Sequence, residues 1–184
     1  HEHPTQALLD MMTLLDKFGT LEGLKVAIVG DIAHSRVARS NIHGLRTMGA
    51  KVALCGPATL LPREPREAFG NDIEIFTNVD DAIRWADALN VLRLQLERQA
   101  GGLLPSIREY ANYFGITRRR LEAAKRDLVI MHPGPINRGV ELESELADSE
   151  FSVILDQVTN GVAVRMAVLY LKSGGDLEVA NGAG

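Results

Sequence analysis

Five short apolar runs recur along this 184-residue chain, and they constrain the fold more than any other feature. They are "LKVAIVG" (24–30), "KVALCG" (51–56), "DIEIF" (72–76), "ALNVLRL" (88–94) and "DLVIMH" (127–132). The first is a near-continuous apolar block, the pattern of a strand buried on both faces of a parallel sheet. The stretches between the runs read as helices: "SRVARSNIHGLRTMGA" (35–50), "VDDAIRWAD" (79–87), "PSIREYANYFG" (105–115) and "TRRRLEAAKR" (117–126). Strands alternating with helices build βαβ units. The expected fold is therefore α/β: one Rossmann-like parallel sheet of about five strands with helices on both faces.

Two more helices flank this core. Pro4 suits the first turn of one that runs to Phe18, and Gly19 suits its end. "DQVTNGVAVRMAVLYLKSG" (156–174) makes a long closing helix. Both are apolar around much of their circumference, with Leu8, Leu9, Met12 and Leu15 in the first and Val158, Val162, Met166 and Leu169 in the last. A helix lying on a sheet needs a single apolar stripe. Either both helices are deeply buried within the domain, or their extra apolar surface meets something outside this sequence. The tail "GGDLEVANGAG" (174–184) reads as loose.

Composition narrows the function. The chain is 46% hydrophobic and 24% charged, as in ordinary globular proteins, so one domain with a substantial core is expected. No stretch approaches the roughly 20 apolar residues that span a bilayer, and no secretory leader is visible. The formal net charge of −4 gives no basic footprint for nucleic acid. Anionic ligands would need local arginines. Cys55 is the only cysteine and ends an apolar run, which points to a buried thiol and a cytoplasmic setting.

Open parallel sheets bind ligands beyond the carboxyl ends of their strands, and polar groups follow three of the five runs. After the first comes "GDIAHSRVARS", with Arg36 at the loop-to-helix junction. A helix N-terminus favours anions, and a guanidinium fork grips a carboxylate. Position alone leaves Arg36 equally readable as a surface side chain. After the fourth comes "RLQLERQ", where Arg93 and Gln95 share one face of extended backbone. After the fifth comes "MHPGPINRG", a stiff turn able to aim backbone carbonyls into a cleft. His132 there is either ligand-facing or a satisfied structural histidine. His3 and Gln6 sit three apart at a helix start, hence on one face; as a terminal segment read alone, this pair carries little weight. "HEH" is a poor metal site, and no metal is expected.

Other chemistries fit less well. Gly30 is followed by Asp31, Ile32, Ala33, His34 and Ser35, so the second and third glycines of a dinucleotide loop are missing, and the second run ends in "LCGP" without an acidic residue for a ribose. There is no P-loop, no nucleophile elbow and no metal-type cysteine spacing. Arg118, Arg119 and Arg120 read most simply as a solvated helix face.

Taken together, "HPTQALLD", "GDIAHSRVARSN", "RLQLER" and "MHPGPINRG" resemble four motifs of the aspartate carbamoyltransferase catalytic chain, in that family's order, over roughly residues 1–174. The resemblance implies transfer of a carbamoyl group from carbamoyl phosphate to L-aspartate, giving N-carbamoyl-L-aspartate and phosphate, in de novo pyrimidine (UMP) biosynthesis, with no cofactor. It implies that His3 polarises the carbamoyl oxygen, that Gln6, Gly134 and Pro135 hold the carbamoyl group, and that Arg36, Arg93 and Gln95 bind aspartate. It also implies a cis bond before Pro135. The sister ornithine family typically carries HPCQ, an SMG loop and HCLP, where this chain has "HPTQ", no SMG and "HPGP".

The family's N-terminal, phosphate-gripping half has no counterpart in this sequence. The resemblance thus implies a hinge helix over 1–19, an aspartate-binding domain over 20–150, a C-terminal helix over 151–174 that returns to the absent half, and a loose tail over 175–184. It implies that the chain starts in mid-site with poorly fixed first residues, is inactive alone, and belongs to a homotrimer when whole, with a dihydroorotase or regulatory chain as possible partners. The alternatives are an ornithine-type or other carbamoyltransferase half, and a non-catalytic Rossmann-like binding or assembly module.

Overall fold

The computed structural model describes residues 2–95 and 106–175. Five parallel strands form one sheet in the order β3-β2-β1-β4-β5: β1 Lys25–Val29, β2 Lys51–Cys55, β3 Glu74–Phe76, β4 Ala88–Val91 and β5 Val129–Met131. The order reverses direction between β1 and β4, which pair from Val26↔Ala88 to Val29↔Val91. That reversal opens a crevice beyond their carboxyl ends.

Side-chain alternation along the strands divides the core in two. Val26, Ile28, Val52 and Leu54 face one side, packed with Leu14 of α1 (Pro4–Phe18) and with Ala38, Ile42 and Leu45 of α2 (Arg36–Thr47). Ala27, Val29, Ala53 and Cys55 face the other, packed with Val79, Ala82 and Ile83 of α4 (Val79–Trp85). The order of α helices also includes a short α3 (Pro65–Phe69), α5 (Ile107–Phe114), α6 (Arg118–Leu121) and α7 (Ile154–Lys172). The α/β expectation holds, strand by strand.

Local chemistry sets the helix ends. Ser35 caps α2 by accepting from the Ala38 N–H at 3.1 Å. Gly19, at φ 74°, closes α1 with a bond to the Leu15 carbonyl. Two helices differ from expectation. α3 was not foreseen, although Pro65 and Gly70 bracket it in the usual way. "TRRRLEAAKR" forms one helical turn only. Arg120 is drawn to the carbonyls of Asn112, Tyr113 and Gly115 at the end of α5, and Lys125 to Asp87 and the Trp85 carbonyl. Tertiary bonds thus outweigh helix propensity there. With 14% of its side chain exposed, Arg120 is a structural cap; the reading of all three arginines as a solvated face fails at this position.

α1 packs between α2 and α7. The outer faces of α1 and α7 stay open: Leu8 and Leu15 are 44% exposed, Leu155 75%, Val162 58% and Leu169 68%. Burial inside the domain does not account for their apolar surface. Among the described residues no helix is long and apolar enough to cross a membrane. The Gly-rich stretch after β4 and the tail from residue 176 lie outside the described residues.

Cys55 is fully buried, and burial, reinforced by the charges of Asp81 and Asp80 against that of Arg120, pushes its thiol up to about 12. The native chain should therefore leave a disulfide thiol reagent unconsumed at pH 8, and take up one equivalent in urea. Rapid native labelling would contradict the buried position.

Candidate functional site

The crevice between β1 and β4 holds a cavity of about 170 Å³. Three strand ends and one helix start supply its walls. From the β1 loop come His34, Ser35 and Arg36; from the segment after β4, Arg93 and Gln95; from the β5 turn, Pro133 and Gly134; from the start of α1, His3 and Gln6. Six of the seven residues expected at the site thus line one cavity. Pro135 does not, but it joins Gly134 through a cis peptide bond. Among the described residues no aspartate or glutamate lines the cavity. The guanidiniums of Arg36 and Arg93 in its walls make it a place for an anion.

Each wall is fixed by its own bonds. β4 ends at Val91, and Leu92 donates its N–H to the Val29 carbonyl at 2.8 Å. Leu92 and Leu94 are buried while Arg93 and Gln95 are half-buried, so the last two turn together to the cavity. The Asn137 amide holds this segment by donating to the Leu94 carbonyl at 2.9 Å. Gly30, at φ 130°, lets β1 turn into its loop; a Cβ there would sit 3.1 Å from Leu92 Cβ.

His3 is anchored, contrary to the expectation of a loose start. Its backbone N–H donates to Ser40 Oγ at 2.9 Å, and Ser40 in turn donates to Glu2 at 2.6 Å. His3 also caps α1: Nδ1 accepts from the Gln6 N–H at 3.3 Å. A nitrogen that accepts carries no proton, so in the neutral ring the proton sits on Nε2, free to donate to a ligand oxygen.

His132 proves structural. It is buried, its Nδ1 accepts from the Gly134 N–H at 2.9 Å, and its Nε2 faces Glu141 Oε1 at 3.2 Å. The same glutamate oxygen accepts from the Asn137 N–H at 2.6 Å. The turn that brings Gly134 to the cavity is thus pinned by its own histidine.

Sequence reasoning passed over His34. Its Nδ1 lies 2.8 Å from Asp31 Oδ1, which also accepts from the His34 N–H. The signal was present, two residues before Arg36 in the same strand-end loop. It also passed over Asp10, four residues after Gln6 on one helix face and hydrogen-bonded to it. Among the described residues no cluster of three His, Cys, Asp or Glu side chains could hold a metal ion.

Residues 22–172 match the family model of the Asp/Orn binding domain of aspartate/ornithine carbamoyltransferase. The chain belongs to the aspartate/ornithine carbamoyltransferase family. It is 61% identical over 183 residues to the aspartate carbamoyltransferase catalytic subunit of Gemmatimonas aurantiaca, covering 100% of this chain and 56% of that protein. Its fold is similar to aspartate transcarbamoylase from Trypanosoma cruzi in complex with carbamoyl aspartate and phosphate, with TM-score 0.79 and 29% identity over 92% of this chain and 55% of that one. It is also similar to ornithine carbamoyltransferase from Pyrococcus furiosus, with TM-score 0.76 and 29% identity over 95% of this chain and 57% of that one. The chain spans about half the length of the curated relatives it matches.

Gly30 makes the backbone turn at the end of β1. Gly30→Ala should lower unfolding free energy by roughly 1–3 kcal/mol, because the φ it needs is one that side-chain-bearing residues rarely adopt. Urea denaturation measures this, and an unchanged midpoint would contradict the strain.

Proposed function

We propose that this chain is the aspartate-binding half of an aspartate carbamoyltransferase, joining carbamoyl phosphate and L-aspartate into N-carbamoyl-L-aspartate and phosphate for pyrimidine biosynthesis in the cytoplasm. One observation carries the reading. A single cavity gathers His3, Gln6, Arg36, Arg93, Gln95 and Gly134 from four separate segments.

The chemistry asks little covalent help of the protein. The uncharged α-amine of aspartate attacks the carbamoyl carbon, the new C–N bond forms, the bond to phosphate oxygen breaks, and the amine's surplus proton leaves with the phosphate. Two anions must be brought together and the developing oxyanion stabilised. Arg36 and Arg93 take the two carboxylates of aspartate as charge-assisted forks, and Gln95 supports them. His3 Nε2–H donates to the carbamoyl oxygen. The Gln6 amide and the backbone carbonyls of Gly134 and Pro135 hold the carbamoyl amino group.

The other substrate anion, phosphate, is gripped by a domain outside this chain. Its docking place is the exposed apolar surface of α1 and α7. Residues 1–19 act as the hinge, 20–150 as the aspartate-binding domain and 151–174 as the returning helix, while 175–184 form a tail. The whole enzyme is a homotrimer, and a dihydroorotase or regulatory chain is a fitting partner. Alone, the chain binds aspartate weakly and turns over little.

Joined to the N-terminal half of the Gemmatimonas aurantiaca relative, the chain should form carbamoyl aspartate. Arg93→Ala should cut kcat/KM for aspartate by about 10²-fold, the value of a lost charge-assisted contact near 3 kcal/mol. Unchanged activity would remove Arg93 from the site, and ornithine as the better acceptor would overturn the substrate. In the same assay His3→Ala should lower kcat by about 10²–10³-fold, as loss of an oxyanion donor does. A fall confined to aspartate KM would deny His3 that role.

A further inference from the structure

Directly behind the cavity lies a buried carboxyl group that the proposed reaction does not use. Asp10 is fully buried, and its partners are four carboxamides from four elements rather than a cation. Oδ1 accepts from Gln6 Nε2 at 2.9 Å and from Gln157 Nε2 at 2.7 Å. Oδ2 accepts from Asn41 Nδ2 at 2.8 Å and from Asn90 Nδ2 at 3.2 Å.

Two of these amides are oriented by groups other than Asp10. Gln157 Oε1 accepts the backbone N–H of His132 at 2.9 Å, so its NH2 must face the carboxylate. Asn41 Nδ2 also donates to the Val37 carbonyl at 3.2 Å, which fixes its NH2 on the same side. Both oxygens of Asp10 are therefore committed as acceptors before Gln6 is considered. Gln6 completes the set by turning its NH2 inward to Oδ1, which leaves its oxygen as the amide end on the cavity side. That oxygen suits a ligand N–H. Against a methyl group it is an unpaired acceptor, and against a carboxylate oxygen it repels.

We infer that Asp10 is a positioning residue that locks the Gln6 amide with its oxygen toward the cavity, so that the subsite selects an acyl group bearing an N–H donor over one bearing a methyl or an oxygen there. The selectivity rests on the reading of Gln6 as a carbamoyl contact; the orientation of Gln6 does not.

Two measurements test the inference. In the 15N-labelled 184-residue chain, the Gln6 side-chain NH2 protons should exchange with solvent at least tenfold more slowly than those of an exposed glutamine, and Asp10→Asn should abolish the difference. In the chain joined to the relative's N-terminal half, Asp10→Asn should raise KM for carbamoyl phosphate by about 10-fold with kcat changed less than about 3-fold, the mark of lost uniform binding. The preference for carbamoyl phosphate over acetyl phosphate, read from the KM of the first and the inhibition constant of the second, should narrow by a similar factor. General loosening of the fold would weaken both ligands alike. Unprotected Gln6 NH2 protons in the unsubstituted chain overturn the inference even if Asp10→Asn fails to fold, and so does a folded variant with unaltered discrimination. Protected protons in an enzyme that makes no carbamoyl aspartate would sink the proposed reaction and leave Asp10 as the residue that orients Gln6.

Discussion

The fold converges on one buried carboxylate. Asp10 ties together α1 through Gln6, α2 through Asn41, β4 through Asn90 and α7 through Gln157. No apolar contact could do this with the same selectivity, since hydrophobic packing is non-directional and tolerates shifts that a four-donor cage does not. Burial raises the Asp10 carboxyl above its ordinary value of 3.8, against the pull of the amide hydrogen bonds, that of Gln157 foremost. An acid raised in the folded state adds stability that is complete below its ordinary pKa and is lost as pH rises through the raised one. Ionising the caged carboxyl is thus a cost that the apolar core around it offsets. What the cage contributes is a unique register between four elements.

That register reaches the cavity by two routes. Gln6 and His3 belong to the same first turn of α1, so whatever fixes Asp10 fixes them. Gln157 bonds Asp10 with its NH2 and the backbone of His132 with its oxygen. His132 then holds the Gly134 N–H, and Glu141 and Asn137 carry the chain of bonds on to the Leu94 carbonyl, between Arg93 and Gln95. Groups that would meet opposite ends of two ligands are therefore held by one continuous hydrogen-bonded network. Arg36 and Arg93 sit at its rim, where their side chains stay in contact with solvent.

Much of this was legible in the sequence, and what was missed shares a cause. β1, β2, β4 and β5 announce themselves because a strand buried on both faces must be apolar throughout. Arg36, Arg93, Gln95 and Gly134 could be found because strand ends in parallel sheets all open on the same side. α6 stopped short because Arg120 and Lys125 have better partners in distant carbonyls, which no local pattern reveals. His132 stayed ambiguous because a histidine after a strand reads the same whether it faces a ligand or its own turn; the Gly134 N–H decides it. Asp10 is a single acidic residue within the apolar run "ALLDMMTLL" and has no local signature of its role. Its three distant partners come from residues 41, 90 and 157, and only the folded chain brings them to it.

The exposed surface of α1 adds a mechanical consequence. Leu8, Met12 and Leu15 are spaced three and four residues apart and form an outward stripe, while Gln6, Asp10 and Leu14 of the same helix are buried. One helix therefore carries catalytic candidates at its N-terminus, a buried anchor in its second turn and an open apolar stripe along its flank. α7, packed against it, exposes Leu155, Val158, Val162 and Met166 and buries Gln157 at the cage. A domain that covered these stripes would press on the two helices that set the position of Gln6 and, through Gln157, of the Gly134 turn. Helices shift as rigid elements, and a packed core moves between discrete arrangements rather than deforming smoothly. Covering these stripes and aligning the cavity would then be one event.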